Sequence, residues 1–439
     1  MAGNLAEART SLKSKFSNKY AKNFLTYLLT GGINKLIPIV LLPILTRYLS
    51  PVEFGQLNNF NVLVGLYTAI IALRLPSYLQ ADYYKINTEE LRELLSNIFW
   101  IYVFLAIILY LISWIFDPYI IEYFGLDSWY TFLAVVTAIG GTVFSLRSAI
   151  FVLEERPKKY GIYQFAQSFI AALLTIILVV VFLMNWQGRV YALAISGILF
   201  FLNTIFYLYR KNYLIYTINI SKIRELLAFG LPLIPQSITP FLRKGMDKLL
   251  ISSYIGLAAN GIFSLAISIG SVFTVLLSSY FTVFMPHLYK TLSKEYVKSD
   301  AKERDMRKLR GLILVSCLLF VGVALLTWLI LSMVFPIIFN DDYLKALPLL
   351  PWVLIEAAIM GCSKLLAYLL LYDKKTSSLG IITFISGLAH VLTSYLLVRE
   401  YSFYGLLVGM YVGSCTRLLI IIYLIKRHSS FRLFGKLSV

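Results

Sequence analysis

Charge is what this chain has least of. Asp, Glu, Lys and Arg make up 14% of its 439 residues, where soluble globular chains carry about 25%. So few polar groups exclude a disordered chain, and they argue against a water-soluble enzyme, whose exterior they could not cover. Cysteine is nearly missing. Cys317, Cys362 and Cys415 each stand alone in an apolar run without CxxC spacing, which suggests neither a disulfide framework nor a zinc site. Enzyme signatures are missing too: there is no GxxxxGK[ST] stretch for direct ATP drive and no HExxH helix. Of three histidines, His287 and His428 fall at the ends of apolar runs, and no nucleophile turn accompanies any of them.

What is plentiful is apolar surface, 59% of residues with a mean hydropathy of +0.77. Runs of about 20 apolar residues cross a ~30 Å hydrocarbon core as helices. Twelve such runs stand out, near 21–46, 57–80, 94–116, 129–153, 160–184, 188–210, 224–251, 256–289, 311–335, 344–372, 376–398 and 401–426. A barrel would instead need alternating strands of about ten residues. The expected fold class is an all-α polytopic membrane protein. The first run is longer than a secretory h-region and no cleavage site follows it, so it reads as a retained helix.

The basic excess, a net +18, points to orientation rather than to nucleic acid. Alternating the spans places 29 Lys and Arg on the N-terminal side and only four (Arg47, Arg189, Lys345, Arg399) on the other. Positive residues stay cytoplasmic, so both termini are expected on the cytoplasmic side of a bacterial inner membrane. The 290–310 connection, with eight basic residues, reads as an anchor on anionic headgroups.

The chain also looks duplicated. Sliding it on itself by 206 residues lays Tyr48 and Gly55 over Tyr254 and Gly261 without a gap. Two parallel six-helix lobes follow, since an even helix number keeps both repeats in one orientation. The expected division is a basic N-terminal segment 1–20, an N-lobe 21–210, a cytoplasmic linker 211–223, a C-lobe 224–426 and a basic tail 427–439.

Beyond the 29 and four counted with the connections, seven cations lie inside spans: Lys35, Arg74, Arg243, Lys244, Lys248, Lys364 and Arg417. At about 2.5–3.5 kcal/mol for each one facing lipid at mid-bilayer, most need water, an acid or a bound anion. Arg74 and Lys248 lie near span ends, where snorkelling is an alternative, and Arg417 could pair structurally. Only Asp247 and Glu356 offer negative charge, with His390 a third titrating group. Asp247 shares a helix face with Arg243 and Lys244 by spacing, so it should offset one or two of them and leave the seventh span positive. Glu356 and His390 look isolated. Pro38 and Pro43 interrupt span one, and Pro232, Pro235 and Pro240 crowd span seven. Each removes a backbone donor, and such breaks survive in a bilayer beside a neighbour or a wet cavity. A central cationic cavity between the lobes is the expectation.

The stretch Leu45-Thr46-Arg47-Tyr48-Leu49-Ser50-Pro51-Val52-Glu53-Phe54-Gly55, with Phe229-Gly230-Leu231-Pro232, Met246-Asp247-Lys248 and Asn260-Gly261-Ile262-Phe263-Ser264, resembles the polysaccharide-export branch of the MOP superfamily, the Wzx-type O-antigen or repeat-unit flippases. Phe263 stands where Tyr is common in that family. The resemblance implies a cavity lined by helices one, two, seven and eight, and a polyprenyl-diphosphate-linked oligosaccharide carried between leaflets, in O-antigen or lipopolysaccharide assembly. It assigns the matching cations Lys35, Arg74, Arg243, Lys244 and Lys248 to the diphosphate. Lys364 and Arg417 are further candidates for the anionic headgroup. No cofactor or metal is expected. Without an ATP motif, a proton or sodium gradient is the expected energy source, with Asp247 the first coupling candidate and Glu356 or His390 next. Expected partners are the lipid-linked sugar, membrane lipids and other polysaccharide-assembly membrane proteins.

Two competing readings remain. A drug or cation exporter of the same superfamily would prefer acids in its cavity. A membrane glycosyltransferase, polymerase or ligase would need a sizeable outward loop, and the longest here, about 117–128, is short.

Overall fold

A computed structural model describes residue 34 and residues 36–214, 218–292, 299–373 and 375–428. Lys35, the 1–20 segment and most of the basic tail lie outside the described residues, as does part of the 290–310 connection. The described residues are almost wholly helical and contain no strand. Ten described helices are long and apolar enough to cross a membrane.

We number the helices by span: α1 Leu36–Tyr48, α2 Pro51–Asp82, α3 Thr88–Ile115, α4 Ser128–Leu153, α5 Pro157–Val181 and α6 Asn185–Arg210. Then follow α7 Ile220–Tyr254, α8 Leu257–Leu292, α9 Ser299–Ile338 and α10 Asp341–Tyr372. The last long helix, Thr376–His428, breaks at Ser402, whose φ of 51° no continuous helix allows. It therefore supplies two spans, α11 before the break and α12 after it.

The ends of α2 show how polar residues set helix bounds. It begins at Pro51, six residues before the apolar run, because Ser50 and Glu53 form a capping box. The Ser50 amide donates to Glu53 Oε2 at 2.8 Å, and the Glu53 amide donates back to Ser50 Oγ at 3.3 Å. Such reciprocal caps satisfy donors that the first turn leaves bare. Near its other end, α2 kinks where Leu73 and Arg74 both take positive φ, 43° and 56°. Non-glycine residues rarely do so, and each such residue costs of order 1 kcal/mol or more.

The core is shared at one end of the bundle and divided at the other. Buried residues of α1–α6 form one cluster with Ile251, Phe263 and Ile269 of the α7–α8 corner and with Tyr343, Leu350 and Met410. The opposite halves of α8, α9, α10 and α12 make a separate core around Phe273, Phe281, Phe320, Leu366 and Ile421. The first and last six helices thus share a core at the end holding Gly55 and Gly261; at the other, α8, α9, α10 and α12 pack on a core of their own, while Leu226 at the start of α7 stays with the first six.

Candidate functional site

α7 is the most irregular helix. It passes through a 3-10 turn at Leu231–Leu233, a short helix Ile234–Pro240 and a π turn at Phe241–Gly245. Proline explains this. Pro240 has no N–H to return to the preceding turn, so the hydrogen-bond register slips before α-helix resumes at Met246. The π turn carries Arg243 and Lys244.

Beyond it, the helix presents two faces of different chemistry. Residues 244 and 248 share one face and residues 243 and 247 the next, as four-residue spacing requires. The first face looks onto α2. Lys244 and Lys248 border a cavity of about 350 Å³ that Asn61, Gly65 and Thr68 of α2 also line. Lys248 Nζ donates to Asn58 Oδ1 at 2.7 Å. Among the described residues, neither lysine forms an ion pair. Arg74 does not line this cavity but donates from Nε to Ser237 Oγ, which does, at 3.2 Å.

The second face looks onto α10, α11 and α12. Arg243 Nη2 donates to Glu356 Oε1 at 3.3 Å, and Ser414 of α12 donates to the same oxygen. Asp247 is 2% exposed and meets His390 Nε2 of α11 through both carboxylate oxygens at 3.0 Å. His390 is 1% exposed, and its Nδ1 has no partner among the described residues. These contacts correct the expectation from local spacing. Asp247 does not offset Arg243 or Lys244, and neither Glu356 nor His390 is isolated. Each acid of the site is paired across helices, so neither pairs with the α2-facing lysines, although Glu356 lies within electrostatic reach of Lys244.

The remaining candidates divide. Arg417 lies within electrostatic reach of Arg243, and its Nε is buried without a partner among the described residues. Lys364 is not drawn into this cluster. It lies over the Phe281 ring, 4.9 Å from the centroid, two helical turns along α10 from Glu356, or about 12 Å.

Sequence reasoning missed the seal above the cavity. Asn260 Nδ2 donates to Gly55 O at 3.2 Å, to Asn59 Oδ1 at 2.8 Å and to Ser252 Oγ at 2.9 Å. Ser264 Oγ donates to Asn260 Oδ1 at 2.9 Å, and Tyr343 donates to Leu49 O at 2.9 Å. A Cβ on Gly55 would stand 2.1 Å from Leu257 O, and one on Gly261 would stand 2.0 Å from Pro51 O. The backbones touch at both positions, so only glycine fits. A signal was available: buried amides such as Asn59 and Asn260 within apolar helices need partners.

A model of the polysaccharide biosynthesis protein family matches residues 20–292, more than half of the chain. This chain belongs to that family. A curated relative, Lsg locus putative protein 1 of Haemophilus influenzae, is 21% identical over 317 residues, covering 71% of this chain and 75% of the relative. Among solved structures, an inward-facing multidrug resistance MATE transporter of the MOP superfamily aligns with a TM-score of 0.70 at 12% identity, covering 90% of this chain and 96% of that one. The lipid II flippase MurJ in an inward closed conformation aligns with a TM-score of 0.65 at 14% identity, covering 93% and 87%. These likenesses show the fold, and the resemblance to the polysaccharide-export branch read from Ser50–Gly55 and Asn260–Ser264 stands with them. The polysaccharide biosynthesis family protein is a multi-pass membrane protein.

Proposed function

We propose that this polysaccharide biosynthesis family member is a flippase that carries a polyprenyl-diphosphate-linked oligosaccharide, an O-antigen or similar repeat unit, from the cytoplasmic to the outer leaflet. One observation carries the reading: Lys244 and Lys248 face a cavity beside a broken helix, and among the described residues no carboxylate lines it or pairs with either lysine. A site of that sign suits a diphosphate, which lysine binds as a point charge and Arg74, beside the cavity, as a fork. In this reading the polyprenyl tail stays in the bilayer, at the end where α8, α9, α10 and α12 pack on a core separate from that of the first six helices. A drug or cation exporter fits less well, because the acids of α7 and α10 are turned away from the cavity into pairs. The test is translocation of a labelled lipid-diphosphate oligosaccharide by the purified protein in liposomes. Absence of any movement above protein-free vesicles refutes the proposal.

The direction follows from charge. With 29 basic loop residues on one side, the divided end of the bundle faces the cytoplasm of a bacterial inner membrane and the glycine seal faces outward. Single cysteines replacing Ser128 and Ser299 should label from the outside and the inside respectively with an impermeant maleimide. The reverse pattern overturns the orientation and the direction of transport.

Energy enters through the second face of α7. The buried Asp247–His390 pair can take up a proton or a small cation on the side opposite the substrate, and His390 Nδ1 is available to it. One charge falling through 100 mV releases about 2.3 kcal/mol. Asp247→Asn keeps the shape of the side chain and removes its charge. Vesicles bearing it should still flip lipid downhill and no longer respond to an imposed proton or sodium gradient. Gradient-driven transport at the parental rate would make Asp247 a structural counter-ion only.

A further inference from the structure

A second cavity, of about 520 Å³, opens on the flank of the first six helices between α4, α5 and α6. It shares no lining residue with the cleft at Lys244 and Lys248. At its head is Arg147, whose guanidinium lies 4.5 Å from the Tyr163 ring centroid, 4.3 Å from that of Tyr207 and 5.2 Å from that of Phe151. Its Nη1 donates to the Asn203 carbonyl at 3.1 Å and to the Asn203 side chain. Ring faces and a neutral amide orient a guanidinium and do not cancel its charge. Among the described residues no carboxylate lines the cavity, and Lys159 supplies a second cation.

Below the cations the wall changes character. Ile162, Ala166 and Ile170 follow one another at four-residue spacing on α5, making one apolar ridge that Leu199 of α6 faces across the cavity. Ile162 is 70% exposed and Leu199 48%. Only 17% of the apolar window of α5 is buried within the protein, so this flank meets lipid. The cationic head lies toward the α4–α5 connection, and the ridge runs from there into the span.

We propose that this flank holds one anionic phospholipid, its phosphate on Arg147 and Lys159 and an acyl chain along Ile162, Ala166 and Ile170. A free phosphate would use the cations and leave the ridge idle. A zwitterionic lipid would bring an ammonium group against two fixed positive charges. On the proposed orientation this is a lipid of the inner leaflet; the binding itself does not rest on that orientation.

Native mass spectrometry of the full chain, exposed in detergent to equal amounts of phosphatidylglycerol and phosphatidylcholine, tests this. The parental protein should retain phosphatidylglycerol selectively. Arg147→Gln and Lys159→Gln should each lower that selectivity by about tenfold, the worth of one charge-assisted contact. Lys159 is exposed, so its variant carries the test if Arg147→Gln fails to fold. Lys244→Ala with Lys248→Ala should keep the phospholipid, and its loss there would move the lipid to the central cleft and overturn the proposal. Equal retention of both lipids, or unchanged selectivity in Lys159→Gln, overturns it as well. So does displacement of the phospholipid from the double-lysine variant by polyprenyl diphosphate, which would make the flank a substrate site. Failure of translocation in liposomes refutes the flippase reading and leaves this one intact.

Discussion

Replacing Lys244 and Lys248 together with alanine should abolish measurable flipping of a lipid-linked diphosphate while the protein folds and inserts normally. Each lysine offers a charge-assisted contact worth about 1.5–3 kcal/mol. Losing both should weaken substrate affinity by roughly two to four orders of magnitude. The fold should tolerate the change because neither lysine is held in an ion pair among the described residues, and Lys244 is exposed to the cavity. Arginine at both positions should restore much of the activity if positive charge is what matters. The measurement is initial flipping rate in proteoliposomes against substrate concentration. A double-alanine protein with parental affinity would remove the cationic cleft from the mechanism.

Gly55→Ala and Gly261→Ala should shift the protein away from the conformation described above. The added Cβ in each case meets a backbone carbonyl at about 2 Å, at Leu257 or Pro51, and a backbone cannot swing aside as a side-chain tip can. Overpacking of this kind costs about 1–3 kcal/mol. It falls only on the state with the seal shut, so the ratio of open to shut should rise by roughly five- to 150-fold. A cysteine replacing Asn61, which lines the central cavity, should then react faster with an impermeant reagent added outside. Unchanged reactivity in both alanine variants would show that the glycines do not hold the seal.

The spans were legible in the sequence because apolar runs of bilayer length admit little else, and even the break at Ser402 was marked by Arg399 and Glu400. Helix starts were less so. The apolar run of α2 hides the six residues that Ser50 and Glu53 recruit, since a capping box is built from polar groups that hydropathy discards. At the site, the residue types could be read but not their pairing. Spacing joined Asp247 to Arg243 and Lys244, while its partner is His390, 143 residues away on α11. The π turn after Pro240 sets which faces the two pairs present, and no local periodicity encodes that choice. Arg147, toward the cytoplasmic end of the 129–153 run, falls by sequence among the 29 basic residues of the N-terminal side. Its aromatic surroundings come from three different stretches of chain and become visible only once those helices pack.

The contact between Gly55 and Gly261 is one contact made twice. Pro51 and Leu257 are related by the same offset of 206 residues as the two glycines, and each supplies the carbonyl that the other half's glycine accommodates. Reciprocal pairing of this sort is the mark of an isologous interface, the kind that joins two identical subunits about a two-fold axis. The seal therefore has the form of a homodimer interface kept inside a single chain. Within one chain the two halves are free to differ. At the same offset, Arg243, Lys244, Asp247 and Lys248 face Ile37, Pro38, Leu41 and Leu42. The closing surface is alike in both halves, while these four ionic residues of α7 have apolar counterparts in the first half. A dimer of identical chains would have carried that charge on both sides of its cavity.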